Sequence, residues 1–274
     1  AKVAITLNAD GDNRYGINVN TSATYTKAST ATVTATDNIP VVAKIGETPY
    51  TTLEAALNAA KAGDTVAIVV AGNYELKNNY VEEGAYRLPD NFTLKGIVDG
   101  VVVTNGPTIR ANNLTIDNVD FNNPVQKNYQ SGLVFYLTGD SVIKNSDIYG
   151  YWGASYYSVV TGKLLVDNCT FDTQVYALHI AEGNADVTVK NSVIAGWNTY
   201  GSDIRVTFTG CTFKDNRGYH YLGFYGDAVI EDCKFEENVT IGGQTTDAIV
   251  IDISNSKVVD DNGDEIAEKS IYDI

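Results

Sequence analysis

Six stretches of the chain share one alternation of apolar and polar positions: LTIDNVDF at 114–121, SVIKNSDI at 141–148, LLVDNCTF at 164–171, VTVKNSVI at 187–194, VTFTGCTF at 206–213 and AVIEDCKF at 228–235. A shortened copy, ISNSKV, follows at 253–258. On both sides of the fifth residue apolar or small groups recur every second position, as in Ile116/Val119/Phe121 and Val166/Cys169/Phe171. Period two means strands, so each copy predicts two strands meeting at a corner. The corner residues are Asn118, Asn145, Asn168, Asn191, Gly210, Asp232 and Asn255, separated by 27, 23, 23, 19, 22 and 23 positions. Roughly 22 residues hold three short strands with their turns, one full coil of a stacked array. The pattern therefore predicts an all-β parallel β-helix with a ladder of Asn118, Asn145, Asn168, Asn191 and Asn255, each amide bonding its neighbour on the next coil.

The position after the corner carries Val119, Ser146, Cys169, Ser192, Cys211, Cys233 and Ser256, all small enough for an inner corner. Cysteine there reads as a small filler, and three cysteines without a CxxC pair speak against a disulfide scaffold. Two histidines in the whole chain make a zinc site a poor expectation.

The ends read differently. Thr51 and Glu54 form a capping box ahead of the stripe Leu53, Ala56, Leu57 and Ala60, with Gly63 beyond, which predicts a helix capping the first coil. The expected organisation is an extra N-terminal β segment over 1–40, a cap region over 41–64, the β-helix over 65–258 and a C-terminal hairpin over 259–274. In the first segment Val3/Ile5/Leu7, Tyr15/Ile17/Val19 and Val33/Ala35 alternate with polar groups. Forty residues bury little core alone, so strand addition of residues 1–20 to another copy is one expected route to a homo-oligomer or fibre. The acidic turns at Asp260, Asp261 and Asp264 and at Asn8, Asp10, Asp12 and Asn13 lack EF-hand spacing and read as solvated turns rather than calcium loops.

The chain has 274 residues and a formal charge of −15, which makes nucleic acid and anionic membrane poor partners. No apolar stretch is long enough for membrane insertion. A chain that begins at Ala1 and contains no Met reads as a processed piece of a longer precursor, and its acidic Thr/Asn/Tyr-rich composition suits an extracellular or cell-surface setting.

Between the copies lie most of the aromatics. Stacking of coils should align Tyr151, Trp152, Tyr157, Tyr176, Trp197, Tyr200, Tyr219 and Tyr221 into a strip, with His179 and Asp203 among them, and a strip of this kind offers a contact face for a glycan or a surface protein. His179, Asp203, Arg205, Arg217 and His220 are the acid, base or electrophile candidates. Glycoside hydrolysis needs a second carboxylate within about 9.5 Å of Asp203, and a lyase needs a base beside a calcium or arginine clamp.

The segment VAKIGETPYTTLEAALNAAKAGDTVAIVVAGNYEL at 42–76 resembles the start of right-handed parallel β-helix modules in bacterial surface and secreted proteins. The later LTIDNVDF-type copies resemble the pectate-lyase-like superfamily. The likeness covers 42 to about 258 and implies a right-handed helix. Neither the Arg-x-Pro-x-x-Arg segment of its lyases nor the Asn-Thr-Asp and Asp-Asp signatures of its polygalacturonases occurs here. The expectation is thus a non-catalytic adhesion or structural module, with no cofactor and no metal, and with a polysaccharide lyase or glycoside hydrolase of the same fold as the alternative.

Overall fold

A computed structural model describes residues 6–9, 15–18, 40–76, 85–125, 131–154, 158–180, 182–215, 220–267 and 269. The chain divides into two compact units, 1–39 and 40–274. In the first, Thr6–Ala9 pairs antiparallel with Tyr15–Asn18. Val33, Ala35 and most of the NADGDN segment lie outside the described residues.

The second unit is a right-handed parallel β-helix. Its first side stacks Thr65–Ile68, Thr93–Gly96, Thr115–Asp117, 142–144, 164–167, 187–190, 206–209, Ala228–Glu231 and Ile251–Ser254 in parallel register. After the corner, a second side runs from Gly72–Glu75 through Asp120–Asn122 and Asp147–Gly150 to Lys257–Val259. A third side holds 131–133, Trp152–Ala154, 176–180, 197–200, Tyr221–Phe224 and Thr240–Gly243. A fourth, in the earlier coils, holds Tyr86–Arg87, Thr108–Asn112, 134–138, 159–163 and 182–185. The middle coils thus have four sides, one more than the repeat predicts.

The corner has a backbone cause as well as the expected side-chain one. Asn118, Asn145, Asn168, Asn191, Asp232 and Asn255 all have φ between 50° and 56°, and Gly210 has φ 65°. Only Gly, Asn and Asp adopt this left-handed conformation at low cost, which explains why Gly and Asp share the column with Asn. The backbone stacks through it, with the N–H of Asn118, Asn145, Asn168 and Asn191 donating to the carbonyls of Lys144, Asp167, Lys190 and Thr209 on the next coil, each at 3.0–3.1 Å. The amide ladder is less uniform than expected. Asn168 donates to Asn145, but Asn145 donates to Asp117, Asn191 to Asp167, and Asn118 to the carbonyls of Gly96 and Val98.

The small column beyond the corner also does more than fill space. The hydroxyls of Ser146, Ser192 and Ser256 accept the N–H of Val119, Cys169 and Cys233 one coil below, and the sulfur of Cys233 accepts that of Cys211. All three cysteines are buried free thiols. Inside, Phe213 and Phe235 stack at 4.9 Å, and Phe208 meets Phe213 edge-on.

The helix spans Leu53–Ala59 and packs Leu53, Ala56 and Leu57 against the first coil. Its N-cap is Thr52 rather than Thr51, and the Thr52 hydroxyl accepts the N–H of Ala55, so Glu54 falls one position short of the third helical position that the expected capping box requires. Ala43–Ile45 pairs antiparallel with Thr65–Ile68, covering the edge that the first coil would otherwise expose. At the far end Val259 bridges Glu265 around a turn in which Asp260 accepts the N–H groups of Asn262 and Asp264. Those hydrogen bonds, led by Asp264, hold the Asp260 carboxyl below its ordinary pKa. Among the described residues no group of three metal-ligating side chains assembles.

Candidate functional site

On the fourth side lies a cavity of about 500 Å³ lined by Arg87, Asp90, Arg110, Asn112, Tyr136 and Thr161 with their neighbours. Register builds it. Arg110 lies directly beside Arg87 on the neighbouring coil, and Tyr136 is the next residue in the same column. Apolar Ile109 and Ala111, on either side of Arg110, are buried, so strand alternation directs the guanidinium outward. The guanidinium carbon of Arg110 lies 5.7 Å from the Tyr136 ring centroid, a cation–π contact that fixes the head group. The backbones that carry the two arginines are one strand spacing apart, ~4.8 Å, so this side concentrates positive charge suited to an anion. Asp90 provides a carboxylate in the same wall.

The predicted aromatic strip forms on the third side, though with fewer members. Ring centroids of Trp152 and Tyr176 are 5.4 Å apart, of Tyr176 and Trp197 5.2 Å, and of Trp197 and Tyr221 6.1 Å. His179 joins the strip, 5.2 Å from Tyr176, and is buried. Tyr200 does not join it. Alternation turns it inward, where it is fully buried, stacked on Phe224 and edge-on to Phe208. Asp203 is exposed in the turn that follows, and Tyr151 is half-buried in the bend before Trp152. Tyr157, Tyr219 and Arg217 lie outside the described residues. Arg205 pairs with Asp186 at 2.6 Å on the surface, and His220 faces Asp215 at 3.3 Å.

A second groove, about 390 Å³, follows the corner between the first two sides and contains Asp120 and Asp147 on adjacent coils. The sequence reading missed this pair. Asp120 accepts the N–H of Asp147 at 2.9 Å, and Asp147 accepts the hydroxyl of Tyr149 at 3.1 Å. Burial raises the Asp120 carboxyl, and burial with the nearby aspartates pushes the Tyr149 phenol up to about 12. In the coils above, a backbone carbonyl fills the place that the Asp120 carboxylate fills here, as in Thr170 N–H to Ser146 and Val193 N–H to Cys169. The pair therefore serves the stacking rather than facing a substrate as two unengaged acids would.

Arg87 and Arg110 were also missed. Their separation of 23 positions, the commonest interval of the corner column, is the signal that would have found them.

No family model matches the chain, and no curated protein does. Among solved structures it is similar to a pectin methylesterase from Aspergillus niger in deglycosylated form, with 14% identity, a TM-score of 0.54, and coverage of 82% of this chain and 86% of that one. Another similar structure is a pectin methylesterase in complex with a hexasaccharide, with 12% identity, a TM-score of 0.46, and coverage of 70% and 76%. The first likeness supports the parallel β-helix fold. It also corrects the expectation of a non-catalytic module, which rested on missing linear signatures. A chain of enzyme name matches this fold over most of its length at 14% identity, and side chains gathered from separate coils need no linear motif.

Proposed function

We propose that this protein is an ester hydrolase of an acidic polysaccharide and that the fourth-side cavity is its substrate site. The observation that carries the reading is the in-register pair Arg87 and Arg110, on a chain of net charge −15, sharing a cavity with Asp90. Paired guanidiniums match a carboxylate in bidentate fashion, so a uronate group is the natural ligand. A cavity of about 500 Å³ accommodates a short saccharide segment.

The count of carboxylates separates the reaction types. Glycosidic cleavage calls for two facing acids, whereas among the described residues that line this cavity Asp90 is the one carboxylate. Ester cleavage needs one base and a cation for the developing oxyanion. Asp90 takes a proton from water as the water oxygen bonds to the ester carbonyl carbon. The carbonyl oxygen, now negative, lies against an arginine. The carbon–oxygen bond to the alcohol then breaks, and the alcohol leaves with the proton from Asp90. The acid product releases its remaining proton to solvent and stays beside the arginines as a carboxylate. The name of the Aspergillus niger structure is in keeping with this chemistry. A polymer substrate of this size is met outside the cell, which agrees with an extracellular setting.

The test is methanol release from methyl-esterified polygalacturonate by wild type, Asp90→Asn and Arg110→Ala. The reading expects release by the wild type, a fall of about 100-fold or more in Asp90→Asn, and a fall of similar size in Arg110→Ala. Wild-type protein that neither releases methanol nor retains polygalacturonate overturns it.

A further inference from the structure

The third side has a chemistry opposite to that of the arginine cavity. From 131–133 through Trp152–Ala154, 176–180, 197–200 and Tyr221–Phe224 to Thr240–Gly243 its strands contain no Asp, Glu, Lys or Arg. On a chain carrying 34 acidic and 19 basic side chains, six successive uncharged strands form a distinct surface. Along it Trp152, Tyr176, Trp197 and Tyr221 contact one another ring to ring over four coils.

Among the described residues, the buried polar atoms without a hydrogen-bond partner include two on this surface that lie close together. The indole N–H of Trp197 and the side-chain carbonyl of Gln244 are both buried and make no hydrogen bond. Both flank Tyr221. The Trp197 ring is 6.1 Å from it, and Gln244 and Tyr221 lie together over Gly223, where an added Cβ would come within 2.9 Å of the Gln244 oxygen and 2.6 Å of the Tyr221 ring. At Gly242 an added Cβ would come 2.8 Å from the Tyr221 hydroxyl. Two glycines thus seat one face of the ring on the backbone and leave the other outward. A buried donor and a buried acceptor beside an outward aromatic face are the complement of a sugar ring, whose C–H face packs on the aromatic and whose hydroxyls give and take hydrogen bonds.

We infer that the third side is a second saccharide-binding surface, separate from the arginine cavity, and that it takes an uncharged pyranose chain laid along the coil axis. The absence of charge selects neutral sugar, and a rise of ~4.8 Å per coil is close to the length of one pyranose unit.

Trp197 is half-buried on this side and Trp152, the other tryptophan of the chain, is buried in the same series of rings, so intrinsic tryptophan fluorescence reports on this side alone. The experiment titrates the full chain with cellohexaose, xylohexaose, mannohexaose and linear galactohexaose. At least one should shift the emission saturably. Gln244→Ala, which leaves the rings in place, and Trp197→Ala should each weaken that binding about tenfold or more, with Trp197→Phe between wild type and Trp197→Ala. Calorimetry follows the Trp197 variants. Arg87→Ala/Arg110→Ala should bind the neutral sugar as wild type does, even if methanol release is lost. An unchanged emission with all four sugars overturns the inference, as does unaltered affinity in Gln244→Ala and Trp197→Ala. Loss of neutral-sugar binding in the double arginine variant shows one site rather than two, and overturns it as well.

Discussion

Asn168 donates its side-chain amide to the side-chain oxygen of Asn145 at 2.9 Å, while both residues hold φ near 50°. At these two corners Asn thus meets two demands, a left-handed backbone and a side-chain hydrogen bond to the neighbouring coil. Separating the demands by mutation is straightforward. Asn168→Gly keeps the backbone and loses the bond, whereas Asn168→Ala loses both. The expected costs are about 1 kcal/mol for the first and about 2–3 kcal/mol for the second, read from urea midpoints. Equal costs would show that the conformation at this corner is not what selects Asn.

A close approach in the early coils is at Gly96, where an added Cβ would lie 2.1 Å from the backbone oxygen of Asn118. Backbone cannot retreat as a flexible side chain does, so Gly96→Ala should cost about 3 kcal/mol. It should also loosen the bond from the Asn118 amide to the Gly96 carbonyl. Thermal unfolding by circular dichroism measures the first effect, and amide exchange around Asn118 the second.

Asp117 stands between Lys95 at 3.3 Å and Lys144 at 3.6 Å and accepts the amide of Asn145. Burial pushes its pKa up, but the Asn145 bond and the two lysines outweigh burial and leave the carboxyl below its ordinary value. A depressed carboxyl stabilises the fold above its unfolded pKa, and that gain disappears as pH falls through the folded one. Asp117→Asn should therefore be less stable than wild type at pH 7, on the order of 1 kcal/mol, with the gap closing as pH falls below the ordinary carboxylate range. Urea titrations at pH 7 and pH 2.5 decide it. A gap that persists in acid would assign the loss to packing.

Tyr136 holds the Arg110 head group over its ring, 5.7 Å from the centroid. Tyr136→Phe should leave affinity for oligogalacturonate unchanged, and Tyr136→Ala should weaken it three- to tenfold, the range expected for a partly exposed cation–π contact. Because guanidinium–carboxylate attraction is screened, wild-type affinity should also fall between 50 mM and 500 mM salt. Calorimetry at both concentrations measures it. A salt-independent affinity would remove the arginines from recognition.

The corners were legible because one residue has to satisfy φ, burial and stacking together, which leaves Asn, Gly or Asp at a fixed interval. The third and fourth sides were not. Their columns change chemistry from coil to coil, as Arg87, Arg110, Tyr136 and Val159 do along one register, so no repeated letter marks them. The aromatic strip was visible as a cluster, but membership depends on alternation within each strand. Trp197 points outward, and Tyr200, three positions on, must therefore face the core. Asp120 and Asp147 were hidden for another reason. Each occupies an ordinary polar position in its copy, and the N–H bond between them depends on one coil replacing a backbone acceptor with a carboxylate.

The thiols buried behind the corners have a use of their own. Burial lifts Cys169 to about 12, while contact between the two thiols raises Cys233 and lowers Cys211; all three sulfurs are closed off from solvent, so none meets an alkylating reagent in the intact β-helix. Labelling can proceed only when neighbouring turns separate. The spacing of the three along the axis makes the natural protein its own recorder of which end frays first, and how fast.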